Sequence, residues 1–300
     1  MTFFDRLRER IRTTGGVLAV GLNPDRARLP DDCREFDYPR RAFNRRVVDA
    51  THEHAAAYAV NPAFYADADG WVALAETVAY ARGKGVPVVV DGKWSDVPNP
   101  NADLLDAADA ATVSPYCGRG ALGALFDSDL GVFVTCRTPN AGAADLQDRE
   151  LAEGTDAPVA VGAKSTEPED QTGDGDADDE DDSPTVAEGA AGIAASWAEG
   201  AAADVGLLVG GDAATVETLR ERAPELPFLT VGGARNDPEV AAHAAPEHGP
   251  SEGVGLVAAS REVLYAGETA GRGRRRGQDD YAAAARQSAK RLKQQLNRHR

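Results

Sequence analysis

Three charged residues directly follow one apolar run, at a spacing that suits proton transfer. The run ends at Val90 and is followed by Asp91, Lys93 and Asp96. Residues two apart in a strand share a face, so Asp91 and Lys93 are expected to point inward together, with Gly92 adding no bulk between them. An ammonium group held between carboxylates is charged, oriented and able to donate a proton. The spacing alone leaves a second interpretation equally open, an ordinary ion pair at the rim of a sheet.

Two later segments have the residues of a phosphate-binding site. Gly232, Gly233 and Arg235 follow one apolar run, and Ser260 and Arg261 follow another. Glycines let backbone N–H groups approach an anion closely, and a guanidinium group binds its oxygens through two parallel hydrogen bonds. Arg261 is the stronger candidate, and its alternative is a surface arginine without a ligand.

These groups must be positioned by a regular scaffold, and apolar segments of strand length recur between amphipathic segments. This alternation predicts βα units around a parallel sheet. The predicted strands are Val17–Leu22, Tyr58–Val60, Val86–Val90, Ala110–Val113, Gly131–Thr135, Val205–Val209, Phe228–Gly232 and Gly253–Val257. The predicted helical segments include Phe43–Ala57, Trp71–Arg82, Gly118–Phe126 and Thr215–Arg222.

Eight alternations predict a single α/β domain, a (β/α)8 TIM barrel, with its catalytic groups at the carboxyl ends of the strands. The alternative is an open, doubly wound sheet. That fold ordinarily shows Gly-x-Gly-x-x-Gly after its first strand, where this chain has Gly21-Leu-Asn-Pro-Asp25.

Three segments depart from the barrel pattern, which we assign to residues 1–267. Residues 164–183 are almost all acidic or small, so we expect a disordered acidic insertion. Residues 268–279 form an Arg/Gly linker, for which a solvated linker is favoured over a nucleic-acid-binding segment. Residues 280–300 are predicted to form a C-terminal helix.

The composition limits the class of protein. The formal charge is −17, with 49 acidic and 32 basic residues, which argues against nucleic acid as a partner. The chain has five lysines and 27 arginines, a balance typical of salt-adapted, halophilic proteins. No run is long and apolar enough to span a membrane, and the three cysteines form no framework, so we expect a cytoplasmic protein. His52 and His54 lie on different helix faces, and we predict no metal site.

Taken together, the motifs of this chain resemble the orotidine 5'-phosphate decarboxylase family, in particular its longer bacterial and haloarchaeal branch. The resemblance runs from Phe3 to about Gly267 and continues weakly through the C-terminal helix. It is carried by Val20–Asp25, Phe43–Thr51, Ala63–Tyr65, Asp91–Asp96, Thr112–Tyr116, Gly131–Thr138, Ala144–Asp148 and Ser260–Arg261.

The resemblance implies a reaction and a set of roles. In this family the Asp-x-Lys-x-x-Asp element expels the carboxylate of a pyrimidine nucleotide and protonates the carbanion, with no metal or cofactor. It implies that Lys93 is the proton donor, that the second aspartate, Asp96, reaches a neighbouring subunit of a homodimer, and that Arg137 and Thr138 of the fifth loop contact substrate.

Several positions depart from the family pattern. Asn23 replaces an aspartate that contacts the ribose, and Ala59 replaces a lysine of the usual Lys-Asp-Lys-Asp network. Residues 97–100 replace Ile-Gly-x-Thr, Pro139 replaces a serine, and Arg235 replaces a glutamine.

These departures leave two interpretations open. The first is a working decarboxylase with altered substrate binding. The second is a divergent relative that keeps nucleotide or phosphate binding without the reaction. Loss of a cation beside Asp91 favours the second, and the intact Asp-x-Lys-x-x-Asp element favours the first, by a small margin. A barrel acting on another phosphorylated sugar acid would need metal-binding carboxylates, and Asp91 with Asn23 make a poor set.

Overall fold

Eight parallel strands close into one barrel in the computed structural model, which describes residues 1–97, 107–152, 183–269 and 280–300. The strands follow chain order around the barrel, each is parallel to its neighbours, and β8 pairs with β1. Their bounds are β1 Leu18–Gly21, β2 Ala57–Val60, β3 Val88–Trp94, β4 Ala110–Val113, β5 Gly131–Arg137, β6 Asp204–Gly210, β7 Phe228–Val231 and β8 Leu256–Ala259. The prediction of a (β/α)8 barrel is confirmed.

Helices surround the barrel in the described part of the chain. They are α1 Phe3–Thr14, α2 Asp31–Arg34, α3 Pro39–Thr51, α4 Gly70–Gly83, α5 Gly123–Phe126, α6 Ala143–Leu146, α7 Val186–Ala198, α8 Ala213–Arg222, α9 Val240–Ala244, α10 Arg261–Leu264, α11 Ala266–Thr269 and α12 Asp280–Leu296. Short 3₁₀ turns occur at Arg26–Arg28, Pro62–Tyr65, Pro115–Cys117 and Arg119–Leu122. No described helix has both the length and the apolar character needed to cross a lipid bilayer.

Most predicted elements differ from the structure by a few residues at their ends, and the predicted helix Phe43–Ala57 ends at Thr51, because Ala57 is the first residue of β2. Two further elements differ at glycines. The eighth strand begins at Leu256 and not at Gly253, because Gly253 has a left-handed φ of 70° and closes a turn through its N–H bond to Pro246. The predicted helix over 118–126 is a 3₁₀ turn followed by the single turn α5. Gly118 has a φ of 79° there, which lies outside the helical region.

Helix α1 closes the amino-terminal end of the barrel. Its Thr2 N-cap forms a capping box with Asp5, and its first turn carries Phe3 and Phe4, both buried. The Phe3 ring packs edge-to-face on Phe133 of β5, with 6.0 Å between ring centroids. The backbone N–H of Phe4 donates to the carboxylate of Asp204, the first residue of β6. The opposite end of the barrel, where the strands finish, is therefore the end left open for a site.

The C-terminal helix α12 belongs to the outer layer of the barrel. The barrel domain therefore includes residues beyond 267, the boundary assigned from the sequence. The helix packs on α3 and β1. The Lys293 ammonium group donates to the carbonyl of Thr14 just before β1, at 2.8 Å, and Tyr281 stacks on Phe43 of α3. The helix supplies the cover between β8 and β1 that a (β/α)8 barrel requires. Its core-facing residues are Ala285, Ser288, Ala289, Leu292 and Leu296.

The acidic insertion and the Arg/Gly linker expected from the sequence lie mostly outside the residues that the structure describes. The acidic insertion at 164–183 lies outside them except for Ser183, and the Arg/Gly linker lies outside them from residue 270 onward. Residues 268 and 269, assigned to that linker from sequence, are the last residues of α11.

The packing of α12 predicts a large effect of Leu292→Ala on stability. Leu292 is 1% exposed, so truncation removes apolar contacts and leaves a cavity, which costs roughly 2–5 kcal/mol of unfolding free energy. Gln294→Ala, on the exposed side of the same helix, is the matched control and should cost less than about 0.5 kcal/mol. Equal denaturation midpoints for the two variants in high salt would show that α12 does not support the barrel.

Candidate active site

Strand β3 carries a bulge at the point where the charged residues begin. Val90 pairs with Ala111 of β4, and the next pair is Trp94 with Val113. Asp91, Gly92 and Lys93 therefore lie opposite Thr112 alone. A bulge of this kind bends its strand and redirects side chains, and bulges are common beside active sites.

Within this bulge Asp91 and Lys93 form a direct ion pair. The Lys93 Nζ lies 2.6 Å from Asp91 Oδ1, and the two side chains are 34% and 16% exposed. The Thr112 hydroxyl donates to the same Asp91 oxygen at 2.8 Å and accepts the backbone N–H of Lys93 at 2.9 Å. The structure thus brings together the pair that the sequence predicted and adds Thr112, to which the sequence reasoning gave no role.

The backbone of Lys93 is left-handed, with φ at 47°. It is the one non-glycine residue with positive φ in the described ranges. For an L-residue this conformation costs about 1–2 kcal/mol, so the surrounding contacts must hold it. The sequence-based expectation of regular alternation is therefore wrong in its local geometry, although the two side chains do converge.

Ala59 lies on β2, where it pairs with Val89 of β3, and Asn23 follows the end of β1. The side-chain oxygen of Asn23 accepts the backbone N–H of Asn61 at 2.8 Å, so the amide is tied to the chain that follows β2. Ala59 is 7% exposed and contributes only a methyl group. Among the described residues, Lys93 is the sole cation within ion-pair distance of Asp91.

The fifth loop is held by internal bonds. Between Thr135 and Arg137, β5 has one residue more than β6, a second bulge. The Arg137 guanidinium group donates to both carboxylate oxygens of Asp148, at 2.6 and 2.9 Å, and to the carbonyl of Gly210 at 2.8 Å. Thr138 bonds through its N–H and hydroxyl to Gln147. Arg137 and Thr138 therefore shape the loop. The guanidinium group of Arg137 and the N–H and hydroxyl of Thr138 already form hydrogen bonds within the protein.

The glycines of the seventh loop lie against the fifth loop and against a helix. Gly232 is exposed with φ at 105°, and a Cβ there would lie 2.9 Å from Pro139. Gly233 is buried, and a Cβ there would lie 2.7 Å from Val240 of α9. The backbone N–H groups of both glycines have no hydrogen-bond partner within the described ranges, and that of the exposed Gly232 is open to an anion.

Arg235 and Arg261 line a cleft of about 750 Å³ at the end of β7 and β8, together with Arg28 and Arg291. Arg28 is paired with Glu268, whereas no described carboxylate pairs with Arg235, Arg261 or Arg291. Gly232 and Gly233 do not line this cleft. The arginines and the glycines of the predicted phosphate site therefore do not line one common cleft, although Gly233 and Arg235 are only two residues apart in the chain.

Two further predicted residues have separate surroundings. The Ser260 hydroxyl donates to the carbonyl of Gly21 at 3.0 Å, which ties the end of β8 to the end of β1. Asp96 is exposed, and residues 98–106 after it lie outside the described part of the chain, Pro100 among them. Within the described residues, no three histidine, cysteine or carboxylate side chains are grouped as metal ligands.

The fold and the site define a (β/α)8-barrel protein with an ion-paired lysine at the carboxyl end of a strand, an arrangement suited to acid–base chemistry. A family model places it more narrowly. The chain belongs to the "Orotidine 5'-phosphate decarboxylase / HUMPS family", whose model matches residues 18–270. The family resemblance seen in the sequence is confirmed.

Relatives and solved structures agree with this assignment. The chain is 45% identical to orotidine 5'-phosphate decarboxylase of Haloarcula marismortui and 44% identical to that of Halorubrum lacusprofundi, and each match covers 100% of both chains. The structure of Leishmania donovani OMP decarboxylase is similar with a TM-score of 0.70 and 28% identity, covering 100% of this chain and 98% of that one. The acidic, lysine-poor composition fits relatives of haloarchaeal origin.

The Arg137–Asp148 pair predicts a pH-dependent effect of Asp148→Asn on stability. The hydrogen bonds from Arg137 lower the pKa of Asp148, so its contribution is complete above its ordinary pKa of about 4 and is lost as the pH falls through the lowered value. At pH 7 the variant should lose about 1 kcal/mol or less, because the pair is partly solvated. The difference from the parent should shrink as the pH falls below about 4. A difference of equal size at pH 7 and at pH 2 would contradict this electrostatic role.

Proposed function

We propose that this chain is an orotidine 5'-phosphate decarboxylase, which converts orotidine 5'-phosphate to uridine 5'-phosphate and carbon dioxide in pyrimidine biosynthesis. The observation that carries the proposal is the Lys93–Asp91 pair, 2.6 Å apart at the carboxyl end of β3. Relatives that match over the full chain carry the name of this activity.

The residues of β3 supply the chemistry. The bond between C6 of the pyrimidine and its carboxylate breaks, its electron pair stays on C6, and carbon dioxide leaves. The Lys93 ammonium group then delivers a proton to C6, and the lysine regains a proton from water. Asp91 lies in contact with that ammonium group, so it orients the donor and repels the substrate carboxylate, an effect that favours the transition state.

The phosphate would be held at the ends of β7 and β8. Arg261 and Arg235 are exposed, line the same cleft and have no carboxylate partner among the described residues, so their guanidinium groups are open to an anion. Gly232 and Gly233 stay in the proposed substrate-binding set as part of the seventh loop, although they do not line this cleft. The proposed substrate-binding set is completed by Arg137, Thr138, Asn23 and Ser260. Their polar atoms are bonded within the protein, so we propose that they shape the mouth of the barrel around the substrate.

A homodimer is part of the proposal. Phe64, Trp71, Val72 and Tyr116 lie on the segments after β2 and β4, on both sides of the β3 loop, and they are 41–86% exposed. Large exposed apolar side chains near a site are typical of protein interfaces. A partner on this face would bring its Asp96 toward the site, the role that the family resemblance gives this residue.

We further propose a cytoplasmic protein without nucleic-acid partners and with no resident cofactor. Cys33, Cys117 and Cys136 are free thiols, and Cys117 is exposed, which suits a reducing compartment. The net charge of −17 disfavours binding to a polyanion.

A second candidate function is nucleotide binding without decarboxylation. It is favoured by Ala59 and Asn23, which leave Asp91 with a single neighbouring cation in the described structure. Fewer charges around Asp91 and Lys93 orient the proton donor less firmly, and such a site would bind substrate better than it binds the transition state.

Replacement of Lys93 tests the proposed function. Lys93→Ala removes the proton donor, so release of carbon dioxide from orotidine 5'-phosphate should fall by at least about 10²-fold in high salt. The matched control is Lys84→Ala, because Lys84 also pairs with an aspartate, Asp49, but lies at the end of α4 away from the site. Activity of the Lys93 variant equal to that of the control would overturn the assignment.

Restoring the missing charges separates the two candidate functions. In a weakened decarboxylase, Ala59→Lys combined with Asn23→Asp should raise kcat/KM, because a well-placed charge pair acts more strongly in the transition state. In a relative that has left the reaction, the double variant should bind nucleotide and stay inactive. A parent already as fast as the haloarchaeal relatives would contradict the claim that these substitutions weaken catalysis.

A further inference from the structure

Thr112 is the one residue of β4 that faces the bulge of β3. It is fully buried, and its two strand neighbours pair regularly with β3, Ala111 with Val90 and Val113 with Trp94. Between these pairs, the backbone ladder is interrupted and the Thr112 side chain makes the bonds instead.

The direction of each Thr112 bond follows from the chemistry of the groups. A hydroxyl has one proton to donate, whereas a backbone N–H can only donate. Thr112 Oγ1 therefore accepts from the Lys93 N–H at 2.9 Å and gives its own proton to Asp91 Oδ1 at 2.8 Å. Asp91 Oδ1 also holds the Lys93 Nζ at 2.6 Å. The buried Thr112 hydroxyl therefore bonds directly to the backbone of Lys93 and, through Asp91, to its ammonium group.

We infer that Thr112 is a positioning residue for the decarboxylation, acting through Asp91 and Lys93 and not through the substrate. The inference rests on the proposed function. The bond to the Lys93 N–H holds the left-handed backbone from which the side chain starts, and the bond to Asp91 holds the carboxylate that fixes its ammonium end. The β-branched side chain of Thr112 has few rotamers, so the hydroxyl stays in one place.

A purely structural role would predict different behaviour. Thr112 would then contribute only to folding, and any variant of similar shape would keep the orientation of Lys93. The positioning role predicts that the hydroxyl decides the outcome and that the methyl group matters little.

Three variants separate these roles. Thr112→Val keeps the shape and removes the hydroxyl, Thr112→Ser keeps the hydroxyl and removes the methyl, and Thr230→Val is the matched control. Thr230 is equally buried, on β7, and its hydroxyl bonds to the carbonyl of Leu256 outside the β3 bulge. If Thr112→Val does not fold, Thr112→Ala replaces it.

We expect kcat for orotidine 5'-phosphate to fall at least tenfold in Thr112→Val, with KM changed less than threefold. Thr112→Ser should keep more than half of kcat, and Thr230→Val should match the parent. Equal loss in the serine and valine variants, or none in the valine variant, would overturn the inference.

A second readout needs no activity. The chain has five lysines, so lysine labelled with ¹³C at Cε gives few NMR signals, and Lys93→Ala identifies the one from Lys93. An immobilised Lys93 should show two inequivalent ε-protons in the parent and in Thr112→Ser, and these should merge in Thr112→Val. If the signals merge in Thr112→Val but the parent releases no carbon dioxide, the proposed function is refuted, whereas the positioning of Lys93 by Thr112 is supported. Unchanged signals in Thr112→Val would refute the positioning role.

Discussion

The bulge in β3 is the constraint on which the site depends. A regular strand would place Asp91 and Lys93 side by side, about 7 Å apart along the chain, with parallel side chains. The extra residues between the Val90 and Trp94 pairs let the chain turn on itself, and the ammonium group then meets the carboxylate at 2.6 Å. Gly92 makes this turn possible, because a Cβ there would lie 2.4 Å from the Trp94 ring.

The rest of the barrel keeps that bulge in place from both sides. Regular pairing of β3 with β2 and β4 fixes the strand before the bulge, and the Trp94–Val113 pair fixes it afterwards. Helix α1 seals the amino-terminal end of the barrel, and Lys293 of α12 ties the outer layer to the entry of β1. Because these contacts are remote from the mouth, the loops there can change without disturbing the scaffold.

The fold was largely predictable from the sequence, since eight alternating apolar segments determine the order and direction of the strands. The pairing of Asp91 with Lys93 was also predictable, because their spacing and the shortage of lysines single them out. The role of Thr112 was not. A threonine in an apolar strand is an ordinary β-branched residue until the register with β3 is known, and the bulge that sets this register has no signal beyond Gly92.

The same limit applies to the substrate-binding residues. Arg137 was an expected ligand, but its bonds to Asp148 and Gly210 depend on a second bulge and on a carboxylate eleven residues away. The family resemblance included the Leu146-Gln-Asp148 segment without giving it a function, and the structure shows that it closes the fifth loop.

The central claim is that the Lys93 ammonium group, held by Asp91, donates a proton to C6 of a pyrimidine nucleotide. A crystal structure with uridine 5'-phosphate bound in high salt tests it most directly, because the product carries the carbon that receives the proton. The account predicts the Lys93 Nζ within roughly 3–3.5 Å of C6, with the Lys93–Asp91 bond intact. A nucleotide bound with its base outside the barrel mouth, or with Lys93 turned away from C6, would contradict it.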